Sequence, residues 1–265
     1  MARCCQDIDQ IFDGIDFAEA EGVMRFAKRV RQLRDSVEWP EVFAEIDDEI
    51  CPEKRRYSKG ERTLAPYGYY NPSEAMVLAT TNVSRGRLLK KADDPSYIYD
   101  YDCEGRVIRI SHMHSYEHLR DKASELTYCL YSGVNEVIVS WHPDYKDESA
   151  PARFRYLYSM TFHIKDAGGN TLYICHSTVM PLRPEIVSDI EVYGPIMDDV
   201  QKMDRFWNCA NPEADVSGIS VQHFRIEYDE NGRMKKCGCG GTERIADYPQ
   251  ELLWDKSLII NRASD

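Results

Sequence analysis

The run His112-Met113-His114-Ser115-Tyr116-Glu117-His118 carries the residue types of a metal site. On a strand, His112 and His114 point to the same face, and His118 can return from the following turn. Neutral imidazoles so placed can bind zinc, with Glu117 supplying an oxygen. The run lacks an established ligand order such as His-Glu-x-x-His. Ordinary polar histidines are therefore the first reading, and a metal-dependent protein using His112, His114 and His118 is the alternative. Cys237-Gly238-Cys239 sets two thiols closer than the usual zinc spacing of about two to four intervening residues. A redox pair would need Cys-x-x-Cys. The nucleophile elbow, the phosphate-binding loop and the dinucleotide fingerprint are all missing. No cofactor is expected, and no side chain earns a catalytic assignment.

Charge points elsewhere. The chain has 45 acidic and 33 basic residues, a formal net charge of −12. Binding a nucleic-acid backbone requires Lys and Arg to displace counterions, so a nucleic-acid partner is disfavoured. The excess is local: residues 185–230 hold eleven Asp or Glu against three Lys or Arg, a net of 3 − 11 = −8. Glu185, Asp189, Glu191, Asp198, Asp199 and Asp204 fall there, beside Tyr193, Phe206 and Trp207. Carboxylates interleaved with aromatic anchors suit a protein interface with a basic partner.

The elements that must carry these residues begin with a repeat. Tyr101-Asp102-Cys103-Glu104-Gly105-Arg106 recurs as Tyr228-Asp229-Glu230-Asn231-Gly232-Arg233. Each copy follows alternating apolar and polar residues, which predicts a strand, a turn opened by Asp and closed by Gly, and a returning strand. Further strands are expected over 75–82, 86–91, 96–102, 106–112, 125–132, 135–142, 153–165, 170–180, 221–229 and 232–238. Glycines punctuate them as hairpins, against a wound nucleotide-binding sheet. Asp16 can cap a helix whose stripe is Phe17, Ala20, Met24, Ala27, Val30 and Leu33. A second helix follows Trp39-Pro40, with Val42, Phe43, Ile46 and Ile50 inward. Residues 53–73 read as a connector. Pro184 opens a helical stretch to Tyr193, and Met197, Val200, Met203 and Phe206 continue it at helical spacing.

Bulk properties agree with a soluble globular protein. The chain of 265 residues is 43% hydrophobic and 29% charged. No apolar run approaches the roughly 20 residues of a membrane span, and the acidic N-terminus lacks a signal-peptide core. Nine scattered cysteines then read as reduced thiols, which with the missing signal gives a cytoplasmic expectation and no membrane partner.

Tyr101-Asp102-x-x-Gly105-Arg106 and Tyr228-Asp229-x-x-Gly232-Arg233 resemble the Tyr-Asp repeat (YD repeat) of rearrangement-hotspot and teneurin-like proteins. The chain lacks their long regular array. A short protein with a few such hairpins, N-terminal helices and an acidic balance resembles the immunity proteins of bacterial polymorphic toxin systems. That resemblance implies a non-enzymatic protein that neutralises a cognate toxin by steric and electrostatic occlusion. Partner-binding residues would be Glu185, Asp189, Glu191, Tyr193, Asp198, Asp199, Asp204 and Trp207. A structural or scaffold protein is the third reading. The expected fold is α+β: a large antiparallel meander over 74–265, covered by an N-terminal helical segment over 1–56 and a helical insertion at 184–207.

Overall fold

The structure is a computed structural model, described over residues 11–17, 20–60, 87–115, 122–143, 157–179, 187–211, 216–230 and 234–246. Among the described residues, Ile11 and Phe12 are helical, and two longer helices, α1 (Ala20–Ser36) and α2 (Trp39–Asp48), precede a short 3-10 turn at Pro52–Lys54 and twelve strands. The strands are β1 (Arg56–Lys59), β2 (Arg87–Leu89), β3 (Tyr97–Tyr101), β4 (Val107–Met113), β5 (Ala123–Ser132) and β6 (Asn135–Trp141), then β7 (Leu157–Lys165), β8 (Thr171–Thr178), β9 (Val187–Met197), β10 (Val200–Asn211), β11 (Val216–Tyr228) and β12 (Met234–Ala246). They form one sheet in the order β12-β11-β10-β9-β8-β7-β6-β5-β4-β3-β1-β2, every described pairing antiparallel. This is the expected α+β meander. The expected connector over 53–73 is corrected in part: Arg56–Lys59 enters the sheet between β2 and β3. The window 75–82 lies outside the described residues.

The turns follow from their aspartates. In the β3–β4 hairpin the Asp102 N–H donates to the Arg106 carbonyl at 3.0 Å, and the Gly105 N–H to the Asp102 carbonyl at 3.1 Å. The Asp102 carboxylate accepts from the Arg106 N–H at 2.8 Å and from its Nε at 2.7 Å. The β7–β8 turn repeats this set. Asn170 donates to the Asp166 carboxylate through its backbone at 2.8 Å and through Nδ2 at 2.9 Å. Gly105 and Gly169 close the two turns at φ +90° and +84°, where a side chain would be strained. The Tyr-Asp hairpin is thus an Asp-x-x-Gly-x turn whose fifth residue clasps the aspartate. Strands β11 and β12 bracket the second copy, with Tyr228 opposite Met234; Gly232 and Arg233 lie outside the described residues.

Both helices lie on the middle of one sheet face. The α1 stripe is Val23, Phe26, Ala27, Val30 and Leu33. The expected stripe of Phe17, Ala20, Met24, Ala27, Val30 and Leu33 packs on this core, and Val23 and Phe26 widen it; Phe17 lies ahead of the helix. Phe26 meets Phe162 edge-on at 5.7 Å; Phe43 of α2 stacks on Tyr128 at 4.2 Å. The Trp39 indole donates to the Arg34 carbonyl at 3.0 Å, satisfying an acceptor at the end of α1. The other sheet face buries Tyr97, Tyr99, Ile110, Cys129 and Ile138 toward β3–β6, and Ile174, Tyr193, Met203, Phe224 and Ile226 toward β8–β11.

The helical insertion expected at 184–207 is corrected. Val187–Met197 and Val200–Asn211 are two long strands joined by a tight hairpin. The spacing misled because β10 is buried on both faces: Met203 packs with Tyr193 and Phe224, and Phe206 packs in the helix-covered core. A strand with two buried faces does not alternate, and a bulge between Gln201 and Met203 shifts its register.

Gly22 provides a test of the helix seat. A Cβ there would stand 1.7 Å from the Asp16 carbonyl oxygen. Gly22→Ala should therefore lower the melting temperature by about 5 °C, although alanine ordinarily strengthens a helix. A rise in melting temperature would show that Asp16 does not rest on α1.

Candidate functional site

The structure separates the residues expected to form one acidic patch. Glu191 is 2% exposed and accepts a 2.5 Å hydrogen bond from the Tyr193 hydroxyl; Tyr193 is itself buried. Neither offers a contact surface, which corrects their assignment as partner-binding residues. Asp189 is clasped by the Arg205 guanidinium, through Nε at 2.7 Å and through Nη2. That bond, working against burial, raises the Arg205 pKa. Asp204 pairs across the strands with His223 at 2.7 Å and lies on the opposite sheet face from Asp189. Glu185 lies outside the described residues. Strand alternation explains the scatter, since a patch drawn along a helix is dealt to two faces along a strand.

Asp204 is half-exposed, and three further expected residues lie open to solvent. Trp207 is 45% exposed and directly opposite Asp189 in the β9–β10 ladder. Asp198 and Asp199 form the two-residue loop of that hairpin, between the paired residues Met197 and Val200. Both have left-handed backbones, φ +52° and +61°, the signature of a type I′ turn. That turn is ordinarily built with Asn-Gly, so two aspartates carry strain in it. Sequence reasoning missed the neighbours Ile196, 54% exposed, and Met197, 69% exposed. The available signal was the paired aspartates between Ile196-Met197 and Val200, which the helical reading concealed.

An open groove of about 490 Å³ lies over β10–β12, lined by Lys202, Asp204, Arg225, Glu227 and Lys236, with Gly238 in β12. It carries both signs of charge, within a chain that is acidic overall.

Two buried charge networks do structural work. Asp100 accepts from Arg55 Nε at 2.6 Å and from Arg109 at 2.7 and 3.0 Å. Arg109 reaches on to Asp47 of α2 at 2.7 Å. The network ties α2 to β3 and β4. On the same sheet face as Asp100's neighbour Tyr99, Glu136 accepts from Lys165 at 2.8 Å and stands 3.6 Å from His163 Nδ1, while His163 Nε2 meets the Thr171 hydroxyl at 2.9 Å. Carboxylate, imidazole and hydroxyl follow one another in the order of a nucleophilic relay. His163 is fully buried and Lys165 neutralises Glu136, so the arrangement holds β6, β7 and β8 in register.

His112 stacks on Tyr97 at 4.6 Å, and burial lowers its pKa. The His114 N–H donates to the Lys122 carbonyl at 3.1 Å. Strand β4 ends at Met113, so His112 lies inside the ladder and His114 just beyond it. His118 lies outside the described residues, among which no group of three His, Cys, Asp or Glu side chains is placed to hold a metal ion. Cys237 and Cys239 follow one another along β12, half-buried and exposed. No helix among the described residues is long and apolar enough to cross a membrane.

Comparison with protein-family models, with curated proteins and with solved structures returns no match.

The His163 network predicts an acid sensitivity. Burial lowers the His163 pKa from 6.5, outweighing the attraction of Glu136. Burial alone would raise Glu136, but His163 and Lys165 bring it below 4.5. Both groups bind fewer protons folded than unfolded. Their stabilisation is present above the unfolded values and is lost as pH falls, first through the His163 window below 6.5, then through that of Glu136 below 4.5. His163→Gln should flatten the drop in melting temperature between about pH 7.5 and 5.5. An unchanged slope would assign the drop to other groups.

Proposed function

We propose that the chain is a non-enzymatic protein-binding module, and that it acts as an immunity protein, occluding a basic bacterial toxin domain with the tip of the β9–β10 hairpin. The observation that carries this reading is the tip itself. Two adjacent aspartates hold left-handed backbones there while Ile196 and Met197 stand open to solvent. Strain and exposed apolar surface are both costs in a free protein, and their coincidence at one exposed loop marks a contact site. Ile196 and Met197, projecting to opposite faces of the ribbon, supply apolar contacts on either side of the tip. Asp198 and Asp199 supply the charge that steers a Lys- or Arg-rich surface and pairs with it. The net charge of −12 favours the same encounter over longer range.

Binding to the product of the neighbouring gene tests the reading with two variants. Ile196→Ser with Met197→Ser should weaken the complex about tenfold or more with little change in melting temperature, because both side chains are exposed. Asp198→Asn with Asp199→Gly relaxes the turn while removing both charges. It should raise the melting temperature by about 2–4 °C, slow association and flatten its salt dependence. Retained affinity in both variants would remove the tip from the interface.

A further inference from the structure

Outside the hairpin tip, the chain brings two accessible thiols together at the junction between helices and sheet. Cys51 ends the segment leaving α2; Cys103 sits in the turn of the β3–β4 hairpin. The two stretches are laced together. The Cys51 N–H donates to the Tyr101 carbonyl at 2.7 Å, and the Lys54 ammonium donates to the Cys103 carbonyl. Tyr101 stands two residues before Cys103, so these bonds bring the Cys51 thiol within electrostatic reach of Cys103. Both are free, Cys51 partly and Cys103 fully exposed, whereas Cys129 and Cys175 are buried. A third group completes the arrangement: the Cys51 thiol donates to Glu53 Oε2 at 3.0 Å.

We infer that Cys103 and Cys51 form a thiol–disulfide exchange site that reacts with a low-molecular-weight disulfide of the glutathione type and closes to a Cys51–Cys103 disulfide. The Cys103 thiolate attacks one sulfur of glutathione disulfide, forming a mixed disulfide and releasing one glutathione thiolate. Cys51 loses its proton to solvent and its thiolate attacks the Cys103 sulfur, forming the internal bond and expelling the second glutathione thiolate, which takes up a proton from solvent. Two protein thiols are oxidised, one glutathione disulfide is reduced, and both protons end on glutathione. Glu53 is a positioning residue: it accepts from the Cys51 thiol and holds Cys51 protonated, pushed up to about 11, which leaves the first attack to Cys103. The exposed member therefore reacts first and Cys51 resolves. The closed bond staples the exit of α2 to the hairpin that carries Asp100, beside the ion pairs that already join them.

The test is a disulfide map of the reduced full chain after incubation with glutathione disulfide, trapped with N-ethylmaleimide and digested without reductant. The expected product is a Cys51–Cys103 cross-linked peptide, with a melting temperature raised by about 8 °C. Cys51→Ser should stop at a glutathione adduct on Cys103. Glu53→Gln should speed closure severalfold, because the carboxylate that holds Cys51 as a thiol is gone, so that less of the adduct accumulates before the cross-link forms. A wild-type chain that remains as the Cys103 adduct, or that joins Cys103 to another cysteine or a second chain, would overturn the inference. The wild-type map does not depend on either variant folding, and partner binding has no part in it.

Discussion

Among the described residues, the two long helices cover only part of a twelve-stranded sheet, and much of the described structure answers to that limit. Strands about 4.8 Å apart give a sheet roughly 50 Å across, before twist. The 17 residues of α1 extend only about 26 Å and the 10 residues of α2 about 15 Å. The helices therefore shield the middle strands, where Phe26, Phe43 and Trp39 meet Phe162, Tyr128 and the rest of the main core. Farther toward β12 that face turns polar, with Lys202, Arg225, Glu227 and Lys236 along the open groove, while the opposite face buries Met203, Phe224 and Ile226. Strand β10 spans the change and contributes core residues to both faces. Its hairpin with β9 ends in the exposed tip.

Charge follows the same division of labour. Asp100, Glu136 and Asp189 are committed inside the fold, each clasped by Arg or Lys. A buried pair of this kind adds little net stability over an apolar substitute, but removing one partner leaves a stranded charge at a cost of about 3–5 kcal/mol. These networks thus fix register and helix placement more than they add stability. The acidic excess between 185 and 230 is consequently no measure of free acidic surface. Much of it is spent within the ladder, while Asp198 and Asp199 at the tip and the half-exposed Asp204 beside the groove remain accessible in the β9–β10 hairpin.

What was legible in the sequence was the part governed by local rules. Asp102 and Gly105 specify their turn through a carboxylate and a left-handed glycine, and the meander follows from hairpins of that sort. Trp39-Pro40 likewise marks the start of α2. The errors arose where long-range packing overrode local spacing. Met203 and Phe206 sit three apart, as on a helix, yet point to opposite faces of a strand buried on both sides. Asp100 and Glu136 looked like ordinary polar strand residues, because their partners Arg55 and Lys165 are distant in the chain. Cys51 and Cys103 were separate thiols in a list of nine until the sheet brought one within electrostatic reach of the other.

The central claim is that the strained, apolar-flanked tip is the working surface of this sheet. Hydrogen–deuterium exchange on the free chain and on its complex with the neighbouring gene product addresses it directly. The account predicts that binding slows exchange over 194–201 and leaves the helical stretch 20–48 unchanged. Protection concentrated on the helices, with the hairpin loop exchanging at its free rate, would contradict it.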